Sequence, residues 1–225
     1  TNVIKKMKPT HFEDLVAILA LYRPGPMDNI DTYIKRKHGE VFNYLHPLLE
    51  PILKDTYGII IYQEQIMRIA QVFAGYSLGE ADVLRRAVSK KKKEVLDSER
   101  EKFVNHSVNN GYDAKVANEI YDYIAKFADY GFNRSHTVAY AIFSYQMAYL
   151  KTNYFNVFIS KLLNNVIGND SELANYIKYA KAKGINVINP DVNKSKNYFV
   201  IDNNNLLMPI NSVHSIGGVV AKKII

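Results

Sequence analysis

Over residues 11–21 the apolar side chains Phe12, Leu15, Ile18 and Leu19 recur at the three- and four-residue steps of a helix, with Thr10 placed as cap and Glu13 three residues on. The RPGPM run at 23–27 stops it. Each proline locks its own φ and pushes its predecessor out of the helical region, so the pattern predicts a rigid, extended turn around Gly25. A short basic helix over 28–37 follows and ends at Gly39. Ile59, Ile60 and Ile61 form a β-branched run that reads either as a short strand or as the buried lead-in to the next helix. That helix carries Ile66, Ile69, Ala70 and Phe73 at helical spacing and stops at Gly75, where a C-terminal cap belongs. Ser77 and Glu80 then make a capping-box pattern, and Ala81, Leu84 and Val88 step along the helix it opens.

Further on, the spacing predicts a charged helix over 94–109 closed by Asn110-Gly111, and another over 113–128. The stretch YGFNRSHTVAYA opens a long apolar helix reaching residue 149, with Asn133 or Ser135 as its cap. Helices over 153–166 and 170–183 complete a mainly α layout, and Gly184 ends the last. The final forty or so residues change character, toward a small α/β segment: a strand at 185–188, and strands at 198–201 and 206–209 that flank a DNNN turn as a hairpin. SIGGVVAKKII has the Gly-then-helix shape of half a helix-hairpin-helix.

Composition narrows the function classes. With 225 residues and 48% hydrophobic content the chain can bury a proper core. No run approaches the roughly 18 to 20 apolar residues of a membrane span, and TNVIKKMKPT lacks the apolar centre of a signal peptide, so a cytoplasmic protein with no membrane partner is expected. The absence of cysteine excludes disulfides and thiolate metal sites. A net charge of +7 puts nucleic acid ahead of acidic proteins or membranes as the partner. The sequence does not begin with Met and stops inside what reads as a helix, which suggests a segment of something longer.

Between Arg85 and Lys93 there are six positive charges and no negative one. Most charge runs are solvated faces, but this one follows a capped helix start. On a helix, Arg85, Ser89 and Lys92 share one side and Arg86, Lys90 and Lys93 the next, two donor rows suited to phosphate oxygens. GFNRSH brings Asn133, Arg134, Ser135 and His136 to a helix N-terminus, where unpaired N–H groups favour an anion; the plainer alternative is a capped helix with a solvent-facing Arg. Arg23, beside two prolines, reads as a surface ion-pair residue or as a rigidly held donor, and Tyr62, Gln63, Glu64 and Gln65 as a polar helix face or a pocket wall. There is no Asp-x-Asp pair, GxxxxGK[ST], GxGxxG after a strand, HExxH or GxSxG. By spacing alone, the chain binds phosphates and does not transform them.

Taken in order, ALYRPGPM at 20–27, YIKRKHG at 33–39, HPLLEPIL and TYGIIIYQEQIMRIAQ within 46–71, FAGYSLGEADVLRRAVSKKK at 73–92, FADYGFNRSHTVAYAIFSYQMAYLK at 127–151 and GINVINPDVNKS at 184–195 resemble the fingers region of the bacterial replicative DNA polymerase III alpha subunit, family C. The resemblance implies a junction from the palm at 1–20, a helical fingers core at 21–168 and a distal segment leading toward a helix-hairpin-helix at 169–225. VHSIGG at 213–218 departs from the family's usual, more basic sequence, so DNA binding there is not implied. It further implies a DNA-directed DNA polymerase whose catalytic aspartates and Mg2+ belong to the palm, leaving no catalytic or metal-binding residue in this chain and no activity in the segment alone. Arg85, Arg86, Lys90, Lys91 and Lys92 would grip triphosphate or template phosphates; Asn133, Arg134, Ser135 and His136 would line the nucleotide site; Arg23, Tyr62, Gln63, Glu64 and Gln65 would support it. The implied partners are primer-template DNA, the deoxynucleoside triphosphate and, through other regions, replisome subunits such as the sliding clamp. A non-enzymatic nucleic-acid-binding helical module is the alternative, and a protein scaffold using the Tyr-rich stretch 138–149 a third reading.

Overall fold

A computed structural model describes residues 2–90, 93–128, 131–202 and 204–225, and among them the chain is mainly α. Its helices are α1 (Asn2–Met7), α2 (Phe12–Leu21), α3 (Ile30–Lys37), α4 (Glu50–Leu53), α5 (Gln63–Ala74), α6 (Leu78–Lys90), α7 (Lys93–Asn109), α8 (Ala114–Ala128), α9 (Arg134–Asn153), α10 (Phe155–Asn165), α11 (Asp170–Ala182) and α12 (Gly218–Ile224). The strands β1 (Asn186–Ile188), β2 (Val200–Asp202) and β3 (Asn205–Leu207) form one small sheet. Contacts divide the chain into two compact units, residues 1–142 and 143–225, with the division inside α9.

The first unit is built round α5. Its apolar stripe of Ile66, Ile69, Ala70 and Phe73 is buried as the spacing requires, against Leu84 of α6, Phe103 of α7, and Ile120, Tyr121 and Ile124 of α8. Fully burying each of the Ile, Leu and Phe side chains stabilises the unit by about 1.5–3 kcal/mol. Gly75 ends α5 in the left-handed region at φ +65°, and a Cβ there would lie 3.0 Å from the Asn110 amide. That amide donates to the Phe73 carbonyl at 3.0 Å, so the glycine and the Asn-Gly turn after α7 close the same helix end.

Several expectations need correction. Helix α2 is rotated from the predicted phase: Val16, Ala17, Ile18, Ala20 and Leu21 are buried, whereas Phe12 is exposed and Leu15 and Leu19 are half-buried. The segment is apolar on nearly every side, so periodicity alone does not select the inner face. Its cap is Asp14, which accepts from the backbone N–H groups of Thr10 (2.9 Å) and His11 (3.1 Å) and pairs with Lys37 Nζ at 2.8 Å. Burial opposes the Asp14 charge, but Lys37 and the two N–H groups outweigh it and hold the carboxyl below its usual range. The RPGPM turn is compact instead of extended. Gly25 adopts φ +96°, the Met27 N–H donates to Arg23 O at 3.2 Å, and a 3₁₀ turn over Pro26–Asn29 leads into α3. Ile59–Ile61 is a buried lead-in to α5 and not a sheet strand.

In the second unit β3 lies in the middle of the order β1-β3-β2, parallel to β1 and antiparallel to β2. Val187 pairs with Leu206, and both point inward with Ile159, Leu163, Ala180 and Phe199. The hairpin is present, but its pairing reaches into the DNNN run: Asp202 faces Asn205, and the pairing ends at Leu207. Pro209, which has no N–H to give, instead precedes the 3₁₀ turn over Ile210–Ser212.

Candidate functional site

Helices α5 and α9 begin beside one another in the first unit. Tyr62 and Phe132 form a parallel bridge in which the Phe132 N–H donates to Ile61 O at 2.9 Å and the Gln63 N–H donates to Phe132 O at 3.0 Å. Gln65 fixes the geometry of that bridge. Its Oε1 accepts from the N–H groups of Ile61 (2.9 Å) and Tyr62 (3.0 Å), while its Nε2 donates to Ile52 O (3.2 Å) and Thr56 Oγ1 (2.9 Å). With its residue only 8% exposed, Gln65 satisfies backbone groups that would otherwise be buried unpaired.

At the head of α9 the cap is Asn133, not Ser135. Asn133 Oδ1 accepts from the His136 N–H at 3.0 Å and also from the Ser135 hydroxyl. The Arg134 N–H donates to both carboxylate oxygens of Glu64, at 3.0 and 3.1 Å. The anion-favouring helix end therefore holds a carboxylate of the protein itself. Arg134 Nη2 donates to Glu13 Oε1 at 2.7 Å, with the two side chains 43% and 35% exposed, and that bond raises the guanidinium's pKa. Arg23 lies with its guanidinium 4.2 Å from the centre of the Phe132 ring and donates through Nε to Ala20 O at 2.8 Å. Burial lowers its pKa.

The Tyr62 side chain is inside. Its residue is 3% exposed and its hydroxyl, although buried, has no hydrogen-bond partner. Burial first, and the Glu13 carboxylate second, push its pKa up, so the hydroxyl stays protonated and able to donate.

In the basic run both arginines of α6 are paired with an acid of the same helix. Arg85 donates through Nε (2.9 Å) and Nη2 (2.7 Å) to Asp82 Oδ1 and through Nη1 to Gln63 Oε1 at 3.2 Å. Arg86 reaches the other oxygen of Asp82 at 2.7 Å. Hydrogen bonding from Arg85 is the main cause holding the Asp82 carboxyl below its usual range. Arg85 is turned inward at 22% side-chain exposure, whereas Arg86 is 66% exposed. Lys90 is the last described residue of α6 and Lys93 the first of α7, so the expected row of Arg86, Lys90 and Lys93 runs across residues that are not described. Lys91 and Lys92 lie outside the described residues, as does the side chain of Lys90.

Gln63 thus links two motifs far apart in sequence, pairing its backbone with Phe132 and its side chain with Arg85. Arg23, Arg85, Arg134, Tyr62 and the α9 N-terminus gather round this point, together with the acids Glu13, Glu64 and Asp82. Of those acids, Asp82 was detectable from its three- and four-residue spacing to Arg85 and Arg86. Glu13 reads only as a helix-start acid, and nothing local connects it to Arg134. Among the described residues no group of three or more His, Asp or Glu could hold a metal ion, and no helix is long and apolar enough to cross a membrane. Exposed ion pairs of this kind are worth about 0–1 kcal/mol each.

Comparison with known proteins gives an independent reading. The family model of the bacterial DNA polymerase III alpha subunit finger domain matches residues 1–111. DNA polymerase III subunit alpha of Bacillus subtilis (strain 168) is 52% identical over 217 residues, which cover 96% of this chain and 20% of that protein. The protein of the same description from Staphylococcus aureus (strain Mu50 / ATCC 700699) is 49% identical over the same shares. The chain therefore spans about a fifth of the length of the curated relatives it matches.

Proposed function

Because residues 1–111 match the family model of the bacterial DNA polymerase III alpha subunit finger domain, we propose that this chain binds the incoming deoxynucleoside triphosphate and the primer-template during template-directed DNA synthesis. The observation that carries the reading is the double role of Gln63, which ties Arg85 of α6 to the head of α9. A triphosphate brings more negative charge than Glu64 or Glu13 and would take over Arg134 and the α9 N–H groups. Cations that meet the charge building up on the phosphates lower the barrier only in so far as they hold the transition state more tightly than the ground state. Closure of the fingers would exclude water from the same place. On this reading any Mg2+ is held by carboxylates outside this chain, and replisome partners bind elsewhere on the longer polypeptide. Phosphate contacts carry no base preference, so selection falls to the shape of the base pair.

Arg86→Ala in the full-length polymerase tests this. At 66% exposure the side chain adds little to folding, so stability should stay within about 0.5 kcal/mol, while kcat/KM for the nucleotide falls by about 100-fold or more. Binding to primed DNA without nucleotide should change only a few fold. The opposite pattern, a collapse of DNA binding with normal nucleotide kinetics at saturating DNA, would make the basic helix a clamp on the nucleic-acid backbone.

A further inference from the structure

Four side chains of the first unit stack in a column that leads outward from the site. The Arg23 guanidinium lies over Phe132 at 4.2 Å, Phe132 meets the His136 ring edge-on at 5.4 Å between centroids, and His136 meets Tyr140 at 4.6 Å and 44°. The last three recur every fourth residue, so they follow one face from the lead-in along α9. The inner end is anchored, since Arg23 is bound to Ala20 O and the His136 N–H to Asn133. The outer end is open: Tyr140 is 59% exposed.

We infer that Tyr140 supplies a stacking surface for a nucleobase, a role that rests on the nucleotide-site reading above. A single exposed aromatic is ordinary, but this ring is the free face of a supported stack, and a ring held in place before the ligand arrives loses little freedom on binding. Bases of any identity stack on such a face. The sequence contains no Trp, so Tyr, Phe and His must provide whatever stacking it offers. The position also suits a nucleotide. Tyr140 lies six residues beyond Arg134, about 9 Å along the axis at about 1.5 Å per residue, which is within the reach of a sugar and its 5′-phosphates. At the phosphate end the buried Tyr62 hydroxyl, unpartnered and next to Arg134, still has a hydrogen bond to give.

The base can belong to the incoming nucleotide or to the template, and 2-aminopurine, whose fluorescence is quenched by stacking, tells them apart. In the full-length polymerase on primed DNA the probe is placed first in the nucleoside triphosphate and then at the templating position. Quenching in one arm identifies the source. Tyr140→Leu should abolish that quenching and raise the nucleotide KM by about 5- to 150-fold, the range spanned by base–aromatic stacking, with little change in kcat; Tyr140→Phe should restore both. Unaltered quenching and KM in Tyr140→Leu would overturn the inference. Inorganic tripolyphosphate, which has no base, separates this from the underlying reading. It should compete with nucleotide equally well in the wild type and in Tyr140→Leu. Competition without any effect of Tyr140 removes the stacking role alone, whereas no competition, together with normal kinetics in Arg86→Ala, removes the nucleotide site and the stacking role with it.

Discussion

Helices α6 and α9 both open with backbone N–H groups that the helix itself leaves unpaired, but α6 answers them from its own sequence, whereas α9 adds to its local Asn133 cap partners from distant parts of the fold. At α6, the Ser77 N–H and hydroxyl donate to Glu80 Oε2 at 3.0 and 2.9 Å, and Asp82 takes Arg85 and Arg86 one turn later. At α9, the first N–H is met by Glu64 of α5, 70 residues away, and the Arg134 side chain by Glu13 of α2, 121 residues away. The α6 arrangement forms with the helix. The Glu64 and Glu13 contacts at α9 exist only once α2 and α5 are in place.

The largest effect that would sharpen this contrast is expected at Gln65. Gln65→Ala leaves two N–H groups, a carbonyl and a hydroxyl without the amide, at about 1–3 kcal/mol for each group left buried and unsatisfied. A total loss of roughly 3 kcal/mol is expected in urea unfolding, with faster hydrogen exchange at Gln63 and Phe132 and unchanged exchange at Glu80. Equal loosening at both helix heads would show that α6 also depends on the bridge.

Glu64→Ala should cost less, about 1 kcal/mol, and should speed exchange of the Arg134 N–H in particular. If that amide stays protected, Asn133 alone is enough and the long-range cap is dispensable.

Ser77→Ala removes the local cap of α6 at about 1 kcal/mol as well, and it should leave the Arg134 N–H untouched. A double variant with Glu64→Ala should then be additive to within about 0.5 kcal/mol, as expected for independent sites. Non-additivity would mean that the two helix heads are coupled.

The smallest effect is one of pH. The Ser77 N–H, then Lys102 and then the Ser77 hydroxyl hold the Glu80 carboxyl down at about 2 from its ordinary value of 4.5. Because the folded pKa is the lower one, the contribution is complete above about pH 4.5 and is lost as the pH falls toward about 2. Glu80→Gln should therefore show a shallower loss of stability through that window than the parent. Identical acid titrations would remove Glu80 from the account.

Legibility in the sequence follows the same division. The start of α6 with its Ser77–Glu80 cap, the Gly75 stop of α5 and the extent of α11 were readable, because each depends on residues within about one turn. The inner face of α2 was not, since a segment apolar on most sides carries no phase. The basic run looked unopposed because Asp82 lies just outside it, and the YQEQ stretch gave no sign that Gln65 turns inward while Gln63 and Glu64 reach toward other helices.

By itself the sequence determined the helical class, the small C-terminal sheet, the positive charge and the presence of cationic side chains along one helix and at the start of another. These follow from periodicity, caps and composition, which are short-range or additive properties of a chain. Only the tertiary structure decided which donors share a site and which acids hold them. The Tyr62–Phe132 bridge joins stretches 70 residues apart, and no local preference records which backbone group will come to lie opposite another once the core has closed.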